Sequence, residues 1–428
     1  MQSEYICCQI FIPIMMTRIF PRTLKAAGCT CLLCLSLASC SDEEEIVPPA
    51  PVSFTTLVYM AADNSLDSEV DYSIAQLKEG ARRSAGTAVV YVDRLNASPS
   101  LFKITQQGEI VPLREYGEEN SACTETLVRV ISETKQLVPA ERFGLVLWSH
   151  SMGWLPIGYS TDTYSASRLS GRTFPHTRYI GLDQHPGNGS GFTMEIDALA
   201  DDLPDHVAEY IWFDVCLMGS VEALYELRNK SRYLIASPSE VLAEAAHDAS
   251  GIPYAEVLPY LFGGEEELRQ ACHAYFGHYS RMGQEILRSA TITLVDADRL
   301  DALYNAVRTV LRGRLRDMGR LDTQGLQVYH TGNVPQVFFD MRDVLQRLEG
   351  QADATIEARL QHAVIYKAAT EKIIKEVEVD PEKFSGLSMY VPLDRWKDNY
   401  EYGYYFGSLE WAGVYAEEGF TEESRQRL

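Results

Sequence analysis

The residues best suited to chemistry lie at the ends of two apolar runs. The first, LVLWSHSMGW (145–154), carries His150 and Ser151; the second, YIWFDVC (210–216), ends in Cys216. SHSMG has the small-x-Ser-x-small form of a nucleophile elbow with Ser151 at its tip. It is equally a strand that ends by presenting His150. In open α/β sheets, ligands sit beyond the carboxyl ends of the strands. If the two runs are neighbouring strands, His150 and Cys216 meet there as a dyad. A thiol with an unperturbed pKa of about 8.5 needs a base or a positive field to ionise near neutrality. Cys216 is expected to open the helix LMGSVEALYELR, whose N-terminal dipole favours a thiolate.

The serine reading demands more than the sequence offers. An elbow turns tightly into a helix, but WLPIGYS puts Pro156 and Gly158 where that helix would run. No HGGG-like oxyanion run lies upstream, and none of His247, His273, His278 and His330 sits in a recognisable setting. A serine esterase using Ser151 predicts activity that survives loss of Cys216.

Positioning these residues requires a layered scaffold. Strands are expected at FTTLVYMAAD, TAVVYVDR, RFGLVLWSH, YIWFDVC, RYLIASP and ATITLVDA, with a small hairpin over 101–113. Helices are expected in NSLDSEVDYSIAQLKEGA, starting from an Asn or Ser cap, and in the amphipathic TETLVRVISETKQL. Apolar strands alternating with helices give a mostly parallel sheet covered on both faces. The C-terminal third reads as helices near 298–318, 340–350 and 353–377, then a strand FSGLSMYVPL. A long polar segment, 158–193, separates the His150 and Cys216 strands; loops of that length usually have a function or are disordered.

With 46% hydrophobic residues among 428, the chain can bury a full core. Lys+Arg of 38 against Asp+Glu of 60 gives a net charge of −22, which argues against nucleic acid and favours basic peptides. Arg18, Arg22 and Lys25 precede a short apolar run from Ala26 to Ala38, as in a secretory signal and too short for a membrane span. LASC resembles a lipobox with Cys40 as the lipidated residue. SDEEE resembles the acidic tag of surface lipoproteins in Bacteroides-like bacteria, and residues 41–53 read as a flexible tether. Of nine cysteines, Cys123, Cys216 and Cys272 remain after Cys40, with no CxxC spacing, hence no disulfide framework or structural zinc. Cys123 and Cys272 are expected to be buried and inert.

WSHSMGW and FDVCLMGSVEALYEL resemble the paired His and Asp-x-Cys motifs of the clostripain-like (C11) cysteine peptidases of the caspase-like clan. YMAADNSLD, IASPSEV, GIPYAEVL and GLSMYVPL follow in family-like order, and the resemblance covers residues 54–420. It implies a caspase-like three-layer α/β/α sandwich with a mostly parallel central sheet and a C-terminal α/β extension. The organisation expected is a signal peptide over 1–39, an anchor and tether over 40–53, a peptidase core over 54–300 and a C-terminal subdomain over 301–428. The resemblance implies that Cys216 is the nucleophile and His150 the catalytic histidine. It makes the backbone amides of Ser151 and Cys216 the oxyanion donors, and Asp214 the acidic residue of the S1 pocket, facing a P1 Arg or Lys. A helix N-terminal carboxylate is the alternative for Asp214. Trp154 is either pocket wall or packing.

The family usually has Gly where Ser151 stands. If that turn needs positive φ, oxyanion binding suffers, and a weak or inactive homologue that binds basic peptides at the cell surface is the alternative. Arg168, Arg172 and Arg178 are candidate self-processing sites. The resemblance brings calcium into question, although no EF-hand-type loop is present to place it. The chain is thus read as an exported monomer, anchored to the outer membrane through Cys40 and facing outward, that acts on protein or peptide substrates.

Overall fold

The structure, a computed structural model, describes residues 51–156, 180–184, 192–330 and 336–417. Nine strands form the main sheet: β1 (Val52–Ala62), β2 (Thr87–Arg94), β3 (Ala97–Ile104), β4 (Ile110–Glu115), β5 (Ala140–Trp148), β6 (Ala208–Asp214), β7 (Ser231–Ala236), β8 (Thr291–Asp296) and β9 (Val364–Ala369). The helices that matter here are α1 (Asp67–Ala81), α2 (Thr124–Leu137), α3 (Val221–Glu226), α4 (Glu265–Ser280), α5 (Leu300–Leu311), α6 (Met341–Glu349) and α7 (Ala354–Ala363).

The spatial order is β9-β8-β7-β6-β5-β1-β2-β3-β4. The five central strands, β7 to β2 in that order, are parallel. Antiparallel pairs close both edges. Alternation along each central strand feeds two apolar layers. Leu57, Tyr59, Leu145, Leu147, Ile211 and Phe213 pack with Val130 of α2, Leu303 of α5 and Leu360 of α7. Val58, Met60, Val146 and Trp212 pack on the other face with Val70 of α1 and Tyr275 of α4. Each such buried aliphatic or aromatic side chain contributes about 1.5–3 kcal/mol. These layers lie within one compact unit, Pro49–Leu428. Among the described residues no helix is long and apolar enough to cross a membrane.

Four expected elements differ from what forms. The first helix starts at Asp67 rather than from an Asn or Ser cap, because Asn64 is spent on the turn before it. Its Oδ1 accepts from Leu66 N–H at 2.8 Å, and its Nδ2 donates to Ala61 O at 2.9 Å and Leu182 O at 2.7 Å. The helix after Cys216 begins only at Val221, capped by Ser220. The expected helix over 353–377 stops at Ala363, because the following VIYKAA pairs with β8 as an edge strand, as β-branched and aromatic residues favour. Of FSGLSMYVPL only Ser388–Met389 pairs as a strand. Instead, Ser388 N–H donates to Gly219 O at 2.9 Å and Tyr390 N–H to the Glu222 carboxylate at 2.7 Å, which docks the segment on the loop after Cys216.

Asn64, fully buried, thus holds the short strand Ile180–Asp183 against the end of β1. Asn64→Ala is expected to cost about 1–3 kcal/mol in denaturant unfolding, since buried carbonyls lose their donors. Hydrogen exchange at Gly181 and Leu182 should quicken; unchanged exchange there would show that Asn64 does not hold this strand.

Candidate active site

Parallel pairing sets the geometry. Trp148 at the end of β5 lies in register with Met60 of β1 and with Asp214 at the end of β6. His150 and Cys216, each two residues further on, therefore leave the same edge of the sheet side by side. Both line one small cavity, together with Asp214, Trp148, Val241, Leu242, Ser250 and Gly251.

The turn after β5 is built from its own serines. Ser149 Oγ donates to Ala61 O at 2.7 Å and accepts from Leu182 N–H at 3.2 Å. Gly181 N–H donates to His150 O at 3.0 Å. The His150 ring is buried, and its Nε2 meets Ser65 Oγ at 2.9 Å. Burial pulls the imidazole down to about 4, so it is neutral at pH 7. Ser151 Oγ accepts from Gly153 N–H at 2.9 Å. The hydroxyl that meets His150 is thus that of Ser65, not Ser151.

The concern over positive φ at Ser151 is not realised. Positive φ in this turn falls on Gly153, at +63°, and Ser151 is not among the positive-φ residues. A Cβ at Gly153 would stand 2.5 Å from Leu217 O, so the two active-site loops touch backbone to backbone there. Trp154 is packing rather than pocket wall: it is buried, with its ring centroid 4.8 Å from Tyr390 and 5.6 Å from Tyr405.

Cys216 does not open a helix. Leu217 takes φ +63°, unusual for a bulky residue, and α3 starts five residues beyond Cys216. Neither the thiol nor Asp214 therefore receives a helix dipole. The thiol is instead held by the backbone of Val241, whose N–H donates to Sγ at 3.3 Å and whose O lies 3.8 Å from it. Part of the residue remains accessible. Burial pushes the thiol up to about 12, opposed by the Val241 contact and reinforced by Glu240 and Asp214.

Asp214 closes the floor of the cavity. Its Oδ2 accepts from Ile252 N–H and from Tyr254 Oη, both at 3.1 Å. Gly251 lies against the same carboxylate: a Cβ there would come within 2.7 Å of Oδ1. Burial raises this carboxyl to about 7, with the Ile252 and Tyr254 bonds opposing. The cavity between Asp214, His150 and Cys216 is about 30 Å³, more than the roughly 10–15 Å³ that a single water needs on the same measure. Val241, Leu242, Ala243, Ser250 and Gly251 form one side of its lining.

Sequence reasoning brought His150, Asp214, Cys216 and Ser151 to one place, and the structure does the same. It missed Ser65, read only as a helix cap, and the Val241 backbone, which no side-chain pattern marks. Cys272 is buried, whereas Cys123, expected buried, is half-buried at the start of α2. Arg168, Arg172, Arg178 and Cys40 lie outside the described residues.

A family model, the clostripain family of C11 peptidases, matches residues 58–380. No curated protein matches the sequence. Among solved structures, an inactive zymogen C11 protease from Parabacteroides distasonis is 28% identical, with a TM-score of 0.69 over 87% of this chain and 100% of that one. A secreted C11 cysteine protease from Bacteroides thetaiotaomicron, in complex with an irreversible peptide inhibitor, is 25% identical, with a TM-score of 0.67 over 85% of this chain and 98% of that one. The family match spans most of the sheet and both strand ends that carry His150 and Cys216, and the chain belongs to the clostripain family of C11 cysteine peptidases.

Proposed function

We propose that this chain is a cysteine endopeptidase that cleaves after Arg or Lys and that the single chain described above is its latent form. One observation carries the reading: Cys216, His150 and Asp214, from two adjacent strand ends, line the same cavity. Cys216 Sγ attacks the scissile carbonyl carbon as its proton passes to His150, directly or through a water, and the amides of Ser151 and Cys216 hold the oxyanion. As the C–N bond breaks, His150 passes a proton to the leaving amine; it then takes one from the water that opens the thioester. Asp214 pairs with the P1 cation. Calcium has no assigned role in these steps.

Latency follows from three features. The thiol is protonated and rests against the Val241 backbone, the imidazole is neutral, and the cavity beside Asp214 is small for a P1 Arg or Lys side chain. Activation then requires the 241–251 segment to move. We assign the trigger to cleavage in the 158–193 loop at Arg168, Arg172 or Arg178, sites that suit the enzyme's own specificity. Export and anchoring through Cys40 complete the proposal. Two solved relatives, both from Bacteroides thetaiotaomicron, are described as secreted.

Turnover of fluorogenic peptides with Arg, Lys or Asp at P1, before and after trypsin nicking of the 158–193 loop, tests the activity. Arg and Lys peptides should be cut only by nicked protein, and not at all by Cys216→Ala. Asp214→Asn should lower kcat/KM on Arg peptides by at least about 30-fold, the loss of one buried charge pair. Nicked protein that binds basic peptides without cutting them would instead establish the inactive-homologue reading.

Alkylation of Cys216 by iodoacetamide, followed by mass of its peptide, tests latency. In intact protein the rate should rise about tenfold per pH unit between pH 7 and 10, because thiolate is scarce below a pKa near 12. A rate already level at pH 7 would contradict the latent form. Intact mass after incubation tests self-processing: wild type should lose its single-chain mass and Cys216→Ala should keep it. A chain that stays whole in both removes self-processing.

A further inference from the structure

Behind Cys216, and not among the residues that line its cavity, Glu240 and His330 meet in the interior. Glu240 belongs to the stretch that follows β7. That stretch runs beside the cysteine loop and takes three hydrogen bonds with it. Gly219 N–H donates to Ser237 O at 2.8 Å, Leu217 N–H donates to Ser239 O at 3.0 Å, and Val241 N–H donates to Cys216 Sγ at 3.3 Å. The serines are anchored to the sheet: Ser237 Oγ and Ser239 Oγ lie 2.7 and 2.8 Å from Thr291 Oγ1 of β8. Between the second and third bonds stands Glu240. Its carboxylate meets His330 Nδ1 at 3.0 Å, and both residues are buried. Taking a carboxylate out of water is costly, and a close ring N–H offsets part of that cost.

His330 arrives from the C-terminal part of the chain. Tyr329 N–H donates to Phe338 O at 3.0 Å, and Gln336 Nε2 donates to His330 O at 3.1 Å, so the stretches 328–330 and 336–339 lie side by side. The His330 ring centroid is 6.2 Å from that of Phe338. Phe338 in turn lies against the histidine turn, 3.1 Å from where a Cβ at Gly153 would stand. The element that grips Glu240 therefore also rests on the loop that carries His150.

We propose that Glu240 and His330 are a positioning pair for Cys216: the bond between them sets the Val241 peptide against the sulfur and so damps the reactivity of the thiol. The proposal rests on the reading of Cys216 as the nucleophile. Neither member of the pair touches substrate. Two effects act together. The first is placement, because Glu240 is one peptide from Val241 and fixing its side chain fixes the Val241 N–H. The second is charge: Glu240 pushes the Cys216 thiol up, in the same direction as Asp214. A proton on His330 cancels the Glu240 charge, whereas a neutral imidazole leaves it standing. The competing account is a pair that only fastens the C-terminal part of the chain to the sheet.

The test follows alkylation of Cys216 by iodoacetamide at pH 8 and amide hydrogen exchange at Val241, both in the intact chain. Neither readout needs peptidase activity, so failure here is distinct from failure of the proposed cleavage. His330→Leu removes the bond at similar size. Alkylation should become at least about tenfold faster and Val241 exchange should quicken, because a displaced peptide leaves the sulfur more open. The side-chain nitrogen of His330→Asn falls close to the place of Nδ1, and this variant should return to within about threefold of wild type. Glu240→Gln still accepts from the imidazole but carries no charge. Its alkylation should rise about threefold or more with Val241 exchange unchanged. This nearly isosteric variant decides the matter if His330→Leu does not fold. Unchanged alkylation in Glu240→Gln overturns the proposal, as does His330→Asn reacting as fast as His330→Leu. So does exchange in His330→Leu that quickens as much along β1 and β5 as at Val241, the mark of a general loss of stability.

Discussion

Everything at the candidate site hangs on the parallel ladder that joins β1, β5 and β6. Because Met60, Trp148 and Asp214 lie in register, three loops leave the sheet at one height. A slip of one residue would turn every inward side chain outward, so the apolar layers on both faces lock that alignment. Ser65, His150 and Cys216 then meet without any of them being placed by a long loop. The same ladder, extended to β2, brings Asp93 beside Asp63. The meeting of His150 with Cys216 and that of Asp63 with Asp93 are two products of one register.

Burial works against reactivity here. Water that would stabilise an imidazolium, a thiolate or a carboxylate has been excluded from all three groups, and each moves toward its neutral form. For Asp214 the charged form is further disfavoured by the close approach of the chain at Gly251, which leaves little room for solvent beside the carboxylate.

The sheet was legible because its strands are long apolar runs bounded by polar turns, and β2 and α2 fall where TAVVYVDR and TETLVRVISETKQL lie. The meeting of His150 with Cys216 was legible because both follow such runs. The rest depended on backbone. No side-chain pattern announces that Val241 N–H will reach Cys216 Sγ, or that Leu217 will adopt a left-handed conformation and delay the helix to Val221. Asn64 and Ser65 looked like helix caps because capping is the usual use of Asn and Ser before a helix. In the fold their side chains turn instead to Leu182 and His150. The clustering of Asp63, Asp93 and Asp183 was invisible for another reason: each lies at or near the end of a different strand, and only the spatial order of those strands makes them neighbours.

The Val241 contact has a chemical consequence beyond timing. Thiolates attack peroxide and disulfides far faster than thiols do, and the reaction needs access to the sulfur. Cys216, protonated and held against the Val241 peptide group, offers little thiolate. The protein in this form can therefore stand in an oxidising medium with that thiol unspent, and the sulfur becomes perishable only if the Val241 backbone moves away from it.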